Sequence, residues 1–356
     1  MKSRPWQEMP YYPISGKYKN AAPGSPSIYI PFNPLTFIQQ MIMEISKSEK
    51  WVFIINPVAG NGFGKSMVNK VREMIAKHGI DADLTVTERK GHATELAKEY
   101  AGKGYRYIVG VGGDGTLNEI ARSLVNNNEV VVGIIPAGTG NDFIQILGFP
   151  DRFNDADWQN FFSRNIIPMD VGECNGKIFL NGMGLGFDAE VAAKNYDKDG
   201  NPKKGNKNKY IWHIVKTLLF FREKKVAIGT NGSTSHSNCF INTVAIGRRF
   251  AGGFFLTPGA IANDGLLDVC MIRKLNLVQR FRILPKVPKG THIHDRKIHY
   301  YQTRNLSMKF PMEVPFHVDG ELFYSSDFNI SILPKGIRVI YNPAGNHFFR
   351  VAEQLN

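Results

Sequence analysis

Five consecutive residues, Gly112-Gly113-Asp114-Gly115-Thr116, combine backbone freedom with one carboxylate and one hydroxyl. Glycines let a main chain approach a phosphate without a Cβ clash, and the start of a following helix adds free N–H groups and a positive dipole end. Two other turns have the same texture, Asn56-Pro57-Val58-Ala59-Gly60 and Pro136-Ala137-Gly138-Thr139-Gly140-Asn141-Asp142. Together they read as a phosphate cradle. Asp114 in its middle would repel phosphate unless a divalent cation lay between them, so it is expected to partner magnesium directly or through water. The competing reading makes Asp114 a helix N-cap and Thr116 a first-turn residue.

Two further turns carry carboxylates. In Val318-Asp319-Gly320-Glu321 one residue separates an Asp from a Glu, a spacing that can set one carboxylate on a substrate hydroxyl and the other on a metal or a partner. Either could be the base, and an Asp-Gly hairpin with a solvated Glu is the plain alternative. Asn263-Asp264-Gly265 can offer a carboxylate and main-chain oxygens to a hard cation, or be a hairpin turn.

Other patterns fail on spacing. The segment ending in Gly64-Lys65-Ser66 would be a P-loop with glycine at position 59, which is Ala59. Gly110, Gly112 and Gly115 satisfy a dinucleotide fingerprint, but the following strand ends Ile134-Ile135-Pro136 without the required acid. His292, His294, Asp295 and His299 match no metal spacing and read as polar surface. Arg248-Arg249 beside Phe250 could face phosphate, membrane or solvent.

These turns need elements to hold them. From Trp51 the sequence predicts strands at 51–56, 83–87, 106–111 and 130–135, with helices near 64–78, 92–102, 116–126 and from 139. That alternation is the βαβ signature of a parallel sheet covered by helices, with ligands at the strand C-termini. After about residue 150, short apolar runs at 177–183, 226–229, 239–246, 266–272, 305–310, 314–318 and 328–333 alternate with turns. They predict a mainly β second domain, a sandwich, interrupted by a helix at 210–221. The expected class is therefore α/β with two domains: a three-layer α/β/α parallel sheet over 49–150, and a mainly β sandwich over 151–342. Residues 1–48 form an extension that ends in a helix carrying Leu35, Ile38, Met41, Ile42 and Ile45. Residues 198–209 read as an exposed loop, and 343–356 as a segment packing back on the first domain.

Composition narrows the partners. The 356 residues exceed what one core usually serves, and 43% hydrophobic against 21% charged residues describes a globular chain. A net charge of +13 attracts polyanions, but no nucleic-acid motif accompanies it, so lipid headgroups and nucleotide phosphates come first and nucleic acid is not expected. Three scattered cysteines, Cys174, Cys239 and Cys270, suit a reducing compartment, and no apolar run approaches the roughly 20 residues of a membrane span. The expected location is cytoplasmic, peripherally attached to membrane.

The ordered set of motifs resembles the diacylglycerol kinase catalytic family, which includes bacterial lipid kinases and sphingosine kinases. The match runs through Ile55-Asn56-Pro57 with Gly60, the Gly112 to Glu119 segment, and Gly138 to Asp142. It continues with Asn181 to Val191, Gly252-Gly253, Pro258-Gly259-Ala260, Asn263 to Asp268 and Val318 to Glu321, spanning residues 51 to about 342. The resemblance implies ATP binding by Asn56, Thr87, Gly112, Gly113, Asp114, Gly115, Thr116, Leu117, Asn118 and Thr139, to which the cradle reading adds Gly60, Gly138, Asn141 and Asp142. It implies magnesium at Asp264 with the carbonyls of Ile261 and Leu266, Glu321 as proton acceptor, and Asp319 as its neighbour or the alternative base. The activity implied is ATP- and magnesium-dependent transfer of the γ-phosphoryl group to a lipid hydroxyl, with diacylglycerol first and sphingosine second. NAD kinase and a non-catalytic regulator are more distant readings. The implied partners are ATP, a lipid substrate and an anionic membrane surface, and a homodimer is left open.

Overall fold

The computed structural model describes residues 49–194, 216–230 and 233–351. The expected helix ending the N-terminal extension, the 198–209 loop and the first part of the 210–221 helix lie outside them.

Strand β1 (Trp51–Ile55) is the run WVFII, buried at every position. A strand with no polar alternation must be covered on both faces. Helix α1 (Ala59–Lys77), β2 (Ala82–Val86), α2 (His92–Gly102), β3 (Tyr107–Gly112), α3 (Asp114–Ala121) and β4 (Val131–Pro136) follow. β1 pairs in parallel with β2 and with β3, and β3 pairs in parallel with β4. The three cradle turns therefore leave the same edge of one sheet. Helix α4 (Asp155–Phe162), fixed by an Asn154–Asp157 capping box, closes the core with Phe161 and Phe162 against Trp51, which also stacks on Tyr107 at 4.1 Å.

The remainder comprises β5 (Ile166–Cys174), β6 (Lys177–Phe179), β7 (Gly182–Gly186), α5 (Phe187–Lys194), β8 (Lys224–Thr230), β9 (Ser233–Ala245) and β10 (Leu267–Arg273). Helix α6 (Leu277–Ile283), β11 (Ile298–Thr303), β12 (Asn305–Val318) and β13 (Glu321–Ile340) complete it. β12 and β13 form a long antiparallel hairpin whose tip is Asp319-Gly320. The end of β13 then pairs in parallel with β4 through Val339 and Val132. The β-rich half is thus hydrogen-bonded into the parallel sheet rather than standing apart from it, so the Asp319–Glu321 tip has a set position relative to the cradle.

Two local expectations change. The helix expected from residue 139 is a loop followed by a single 3-10 turn, Phe143–Gln145. Asn141 has φ +46°, which breaks a helix, and Asp114 captures the backbone N–H groups of Asp142 and Phe143. Strands β5 and β11 had no clear signature: β5 carries Pro168 and the buried Asp170, and β11 reads IHYYQT. The residues after β13 bond to both halves, with Phe348 N–H donating to the Ile146 carbonyl and Ala262 N–H to that of Phe348.

Candidate active site

The cradle is built by steric contact between glycines. A Cβ on Gly138 would lie 2.5 Å from the Gly113 Cα, and one on Gly60 would lie 2.2 Å from the Ala137 carbonyl oxygen. Both distances are below what real Cβ atoms tolerate, so these turns meet only because both positions are glycine. Gly60, Asn61 and Gly62 at the start of α1 all have positive φ, the left-handed conformation that curls a chain around an anion. Polar bonds complete the convergence: the Asn56 Nδ2 donates to Thr116 Oγ1 at 2.9 Å, and the N–H groups of Ala137 and Gly138 donate to the Gly112 carbonyl. Thr87 sits at the same edge, its N–H on the Ile55 carbonyl at 2.8 Å. Gly115, Thr139 and Gly140 are exposed at the mouth, whereas Leu117 belongs to the core and offers only main chain.

Asp114 plays the role of a loop clamp. Its two carboxylate oxygens accept the Asp142 and Phe143 N–H groups at 2.9 and 3.0 Å, beneath the Gly138–Asp142 loop. Burial pushes its pKa up while those bonds pull it down. The carboxylate for which a magnesium role was expected, directly or through water, shapes the turn from below. Asp142 is a second clamp, accepting the Gly252 N–H at 3.0 and 3.1 Å and pairing with Arg249 at 3.4 Å, with its pKa raised by burial to about 6. Asn141 is buried, its Nδ2 donating to the Gly138 carbonyl at 3.1 Å.

The two carboxylates of the β12–β13 tip divide their work. Asp319 accepts four donors: the N–H groups of Leu180, Asn181 and Gly182 at 2.7, 3.1 and 2.9 Å, and the Asn118 Nδ2 at 2.9 Å. Burial pushes its pKa up against those bonds. With four hydrogen bonds, two on each oxygen, it is the hub joining α3 and the start of β7 to the tip, and it has no lone pair to spare for a substrate proton. That bonding favours Asp319 as the neighbour of the base over Asp319 as the base itself. Glu321 is about one-third exposed, with Lys90 and Arg122 each 3.2 Å from one of its oxygens. Burial alone would raise its pKa, but the two cations outweigh it and hold the carboxyl below the usual range.

Asp264 lies in another neighbourhood. Its Oδ1 accepts the Leu266 N–H at 3.0 Å and its Oδ2 faces the Gln302 Nε2 at 3.4 Å. Asp170 and Asp268 are close enough for the Asp264 charge to raise their pKa values, after burial. Asp170 accepts the Gly265 and Lys335 N–H groups, and Asp268 is bonded by Tyr300 and Gln302. Among the described residues no three His, Cys, Asp or Glu side chains are grouped to hold a metal. An all-oxygen turn with one available carboxylate and the main chain of Ile261 and Leu266 does suit a hard cation that keeps much of its water.

Several participants carry no signal in the sequence. Lys90 and Arg122 reach Glu321 from α2's approach and from the end of α3. His317 Nε2 meets Asp188 Oδ2 at 3.0 Å over Gly184, where a Cβ would lie 2.2 Å from that oxygen and 2.3 Å from that nitrogen. The alternation Gly182-x-Gly184-x-Gly186, three positions without Cβ on one face of β7, was the available clue.

Comparison with known proteins identifies the family. Residues 50–174 match the diacylglycerol kinase catalytic domain, and residues 182–341 match the YegS C-terminal NAD kinase beta sandwich-like domain. A diacylglycerol kinase of Bacillus subtilis (strain 168) is 30% identical over 273 residues, 75% of this chain and 88% of the relative. The chain belongs to the diacylglycerol kinase family. It carries this family's catalytic domain and is a kinase. A Citrobacter koseri protein named "Probable lipid kinase YegS-like" is 26% identical over 284 residues, 78% of this chain and 92% of that one. A solved Bacillus anthracis structure described as that of "a putative diacylglycerol kinase" superposes with a TM-score of 0.70 at 27% identity, covering 83% of this chain and 96% of its own. The family boundary between residues 174 and 182 falls after β5, so β5 goes with the catalytic domain although it pairs along β13.

Proposed function

We propose that this diacylglycerol kinase family member transfers the γ-phosphoryl group of ATP to the hydroxyl of a lipid, diacylglycerol in the first instance, forming phosphatidic acid. The observation that carries the reading is the bonded chain from cradle to acceptor carboxylate: Asn118 of α3 holds Asp319, and Arg122 one turn later holds both Asn118 and Glu321.

ATP phosphates lie against the Gly60, Gly112–Thr116 and Gly138–Thr139 turns, where main-chain N–H groups not already bonded within the cradle offset the charge that develops on the transferred oxygens. The lipid hydroxyl oxygen attacks the γ-phosphorus, the bond from that phosphorus to the ADP oxygen breaks, and the hydroxyl proton passes to a Glu321 carboxylate oxygen. Lys90 and Arg122 keep Glu321 ionised and orient it, at the cost of basicity. Magnesium is proposed at the Asp264 turn with the carbonyls of Ile261 and Leu266, where it would neutralise the charge that Asp170, Asp264 and Asp268 share.

The test is incubation of the full chain with γ-labelled ATP, magnesium and a lipid panel in mixed micelles. Label in phosphatidic acid is the expected result. Label in sphingosine alone would keep the reaction and replace the substrate, and ATP binding without label in any lipid would overturn the reading.

A further inference from the structure

Helix α6 is built inside out. Arg280 is buried, while Leu277, Val278 and Phe281 are 45%, 77% and 55% exposed. The Arg280 guanidinium donates to the carbonyls of Leu218 and Phe221 and pairs with Glu223 at 2.8 Å, with both side chains of the pair almost wholly covered. This pins the helical residues 216–220 beside α6. Leu219 and Phe220 on that neighbouring segment are themselves 42% and 73% exposed. Burying an arginine while five large apolar side chains on two adjacent segments face water is the reverse of what an isolated soluble fold favours, and such exposure marks a contact with something apolar.

The charge around it says what that contact is. Residues 273–289 contain six Lys and Arg and no Asp or Glu. Arg282 and Lys286 are drawn toward Asp295, at 2.8 and 3.9 Å. Arg273, Lys274 and Lys289 are exposed and enter no ion pair among the described residues. Apolar side chains rimmed by cations complement a surface that is oily inside and anionic at its edge. We propose that Leu219, Phe220, Leu277, Val278 and Phe281 insert into the headgroup layer of an anionic lipid bilayer, with Arg273, Lys274 and Lys289 set against its phosphates. At 7 residues α6 is far too short to span a bilayer and lies in the interface instead. Phe221, held by Arg280, also lines a narrow internal pocket with Glu190, Lys224, Asn242, Phe310 and Pro315, so the docking surface abuts the interior of the β-rich half. The purpose of this docking rests on the lipid-kinase reading; the docking itself does not.

The experiment is co-sedimentation of the full chain, without ATP, with vesicles of phosphatidylcholine alone or containing one-third phosphatidylglycerol. The wild type is expected to bind the anionic vesicles preferentially and to release them as salt rises. Val278→Asp/Phe281→Asp should lower the bound partition coefficient by about tenfold or more, and Lys274→Glu/Lys289→Glu should flatten the salt dependence. Unchanged melting temperatures establish that the variants fold, and phosphoryl transfer to a micelle-dispersed short-chain lipid should be unaffected. Equal binding by wild type and by a folded Val278→Asp/Phe281→Asp variant overturns the proposal. So does a wild type that binds no vesicle, which would mean that another part of the chain covers the surface. A variant that splits a dimer in ultracentrifugation yet still binds vesicles would make the surface a homodimer contact instead. If transfer fails for every lipid while vesicle binding follows the expected pattern, the docking stands and the kinase reading falls.

Discussion

The cradle and the β12–β13 tip, which the proposed reaction brings together, are held by opposite means. In the cradle the closest approaches are backbone against backbone, where glycines leave out a side chain, and the Asp114 and Asn141 side chains tie the turns together from beneath. At the tip the contacts are charges: Asp319 gathers four donors, and Glu321 sits between Lys90 and Arg122. Steric contacts are insensitive to pH and salt but intolerant of a single methyl, whereas ionic contacts tolerate changes of size and respond to protonation. Each region should therefore fail in its own way.

The largest effect is expected from Gly138→Ala. The added methyl meets the Gly113 Cα at 2.5 Å and the Asn141 Oδ1 at 2.7 Å, both inside the cradle. ATP affinity by calorimetry and turnover should drop by about a hundredfold or more, since an ångström-scale misplacement near the reacting atoms costs that much. Gly102→Ala, at the end of α2 and outside the cradle, where a Cβ meets nothing within 4 Å, is the control and should bind ATP nearly as the wild type. Similar losses in both would show that the cradle is not set by steric contact.

Next come the two carboxylates of the tip, which should separate. Glu321→Gln is expected to cut turnover by roughly a hundredfold or more with ATP affinity and melting temperature retained, the usual scale for loss of a general base. Asp319→Asn sets an amide among donors that need an acceptor and should cost about 3 kcal/mol in denaturant unfolding. If Asp319→Asn were as stable as the wild type and merely inactive, Asp319 would be chemistry and not scaffold.

The smallest expected effect sharpens the ionic side. Glu321 acts when ionised, and its pKa is held down by Arg122 and Lys90 against burial. Removing the cation in Lys90→Met raises that pKa, so the acid limb of the rate profile should move to higher pH, modestly for so exposed a pair. Activity near neutral pH should change little. An acid limb that stays in place would remove Glu321 from the proton-transfer step.

The parallel strands and the cradle turns were legible because their signals are local. A fully apolar pentapeptide such as WVFII has one reasonable environment, and Gly-Gly-Asp-Gly has few uses. β5 and β11 were not legible, because Pro168, Asp170 and the tyrosines of β11 belong to the sheet through partners distant in the chain. The misplaced helix after residue 138 has the same origin: its N–H groups are taken by Asp114, 28 and 29 residues earlier. For Asp114 the turn sequence left open whether the carboxylate faces a ligand or the next loop, and in the structure it accepts the N–H groups of Asp142 and Phe143.

By itself the sequence offered the residues that could surround a phosphate, glycines that let a backbone approach it, and two carboxylates one residue apart in the Val318–Glu321 turn. Those properties follow from the intrinsic conformational range and charge of each residue type. Only the tertiary structure decided that Asp319 is a hub and Glu321 the available carboxylate, that Lys90 and Arg122 restrain it, and that α6 turns Val278 and Phe281 outward over a buried Arg280. Those depend on which donors the fold brings within hydrogen-bond reach across as many as 201 residues of chain, and no local spacing encodes that distance.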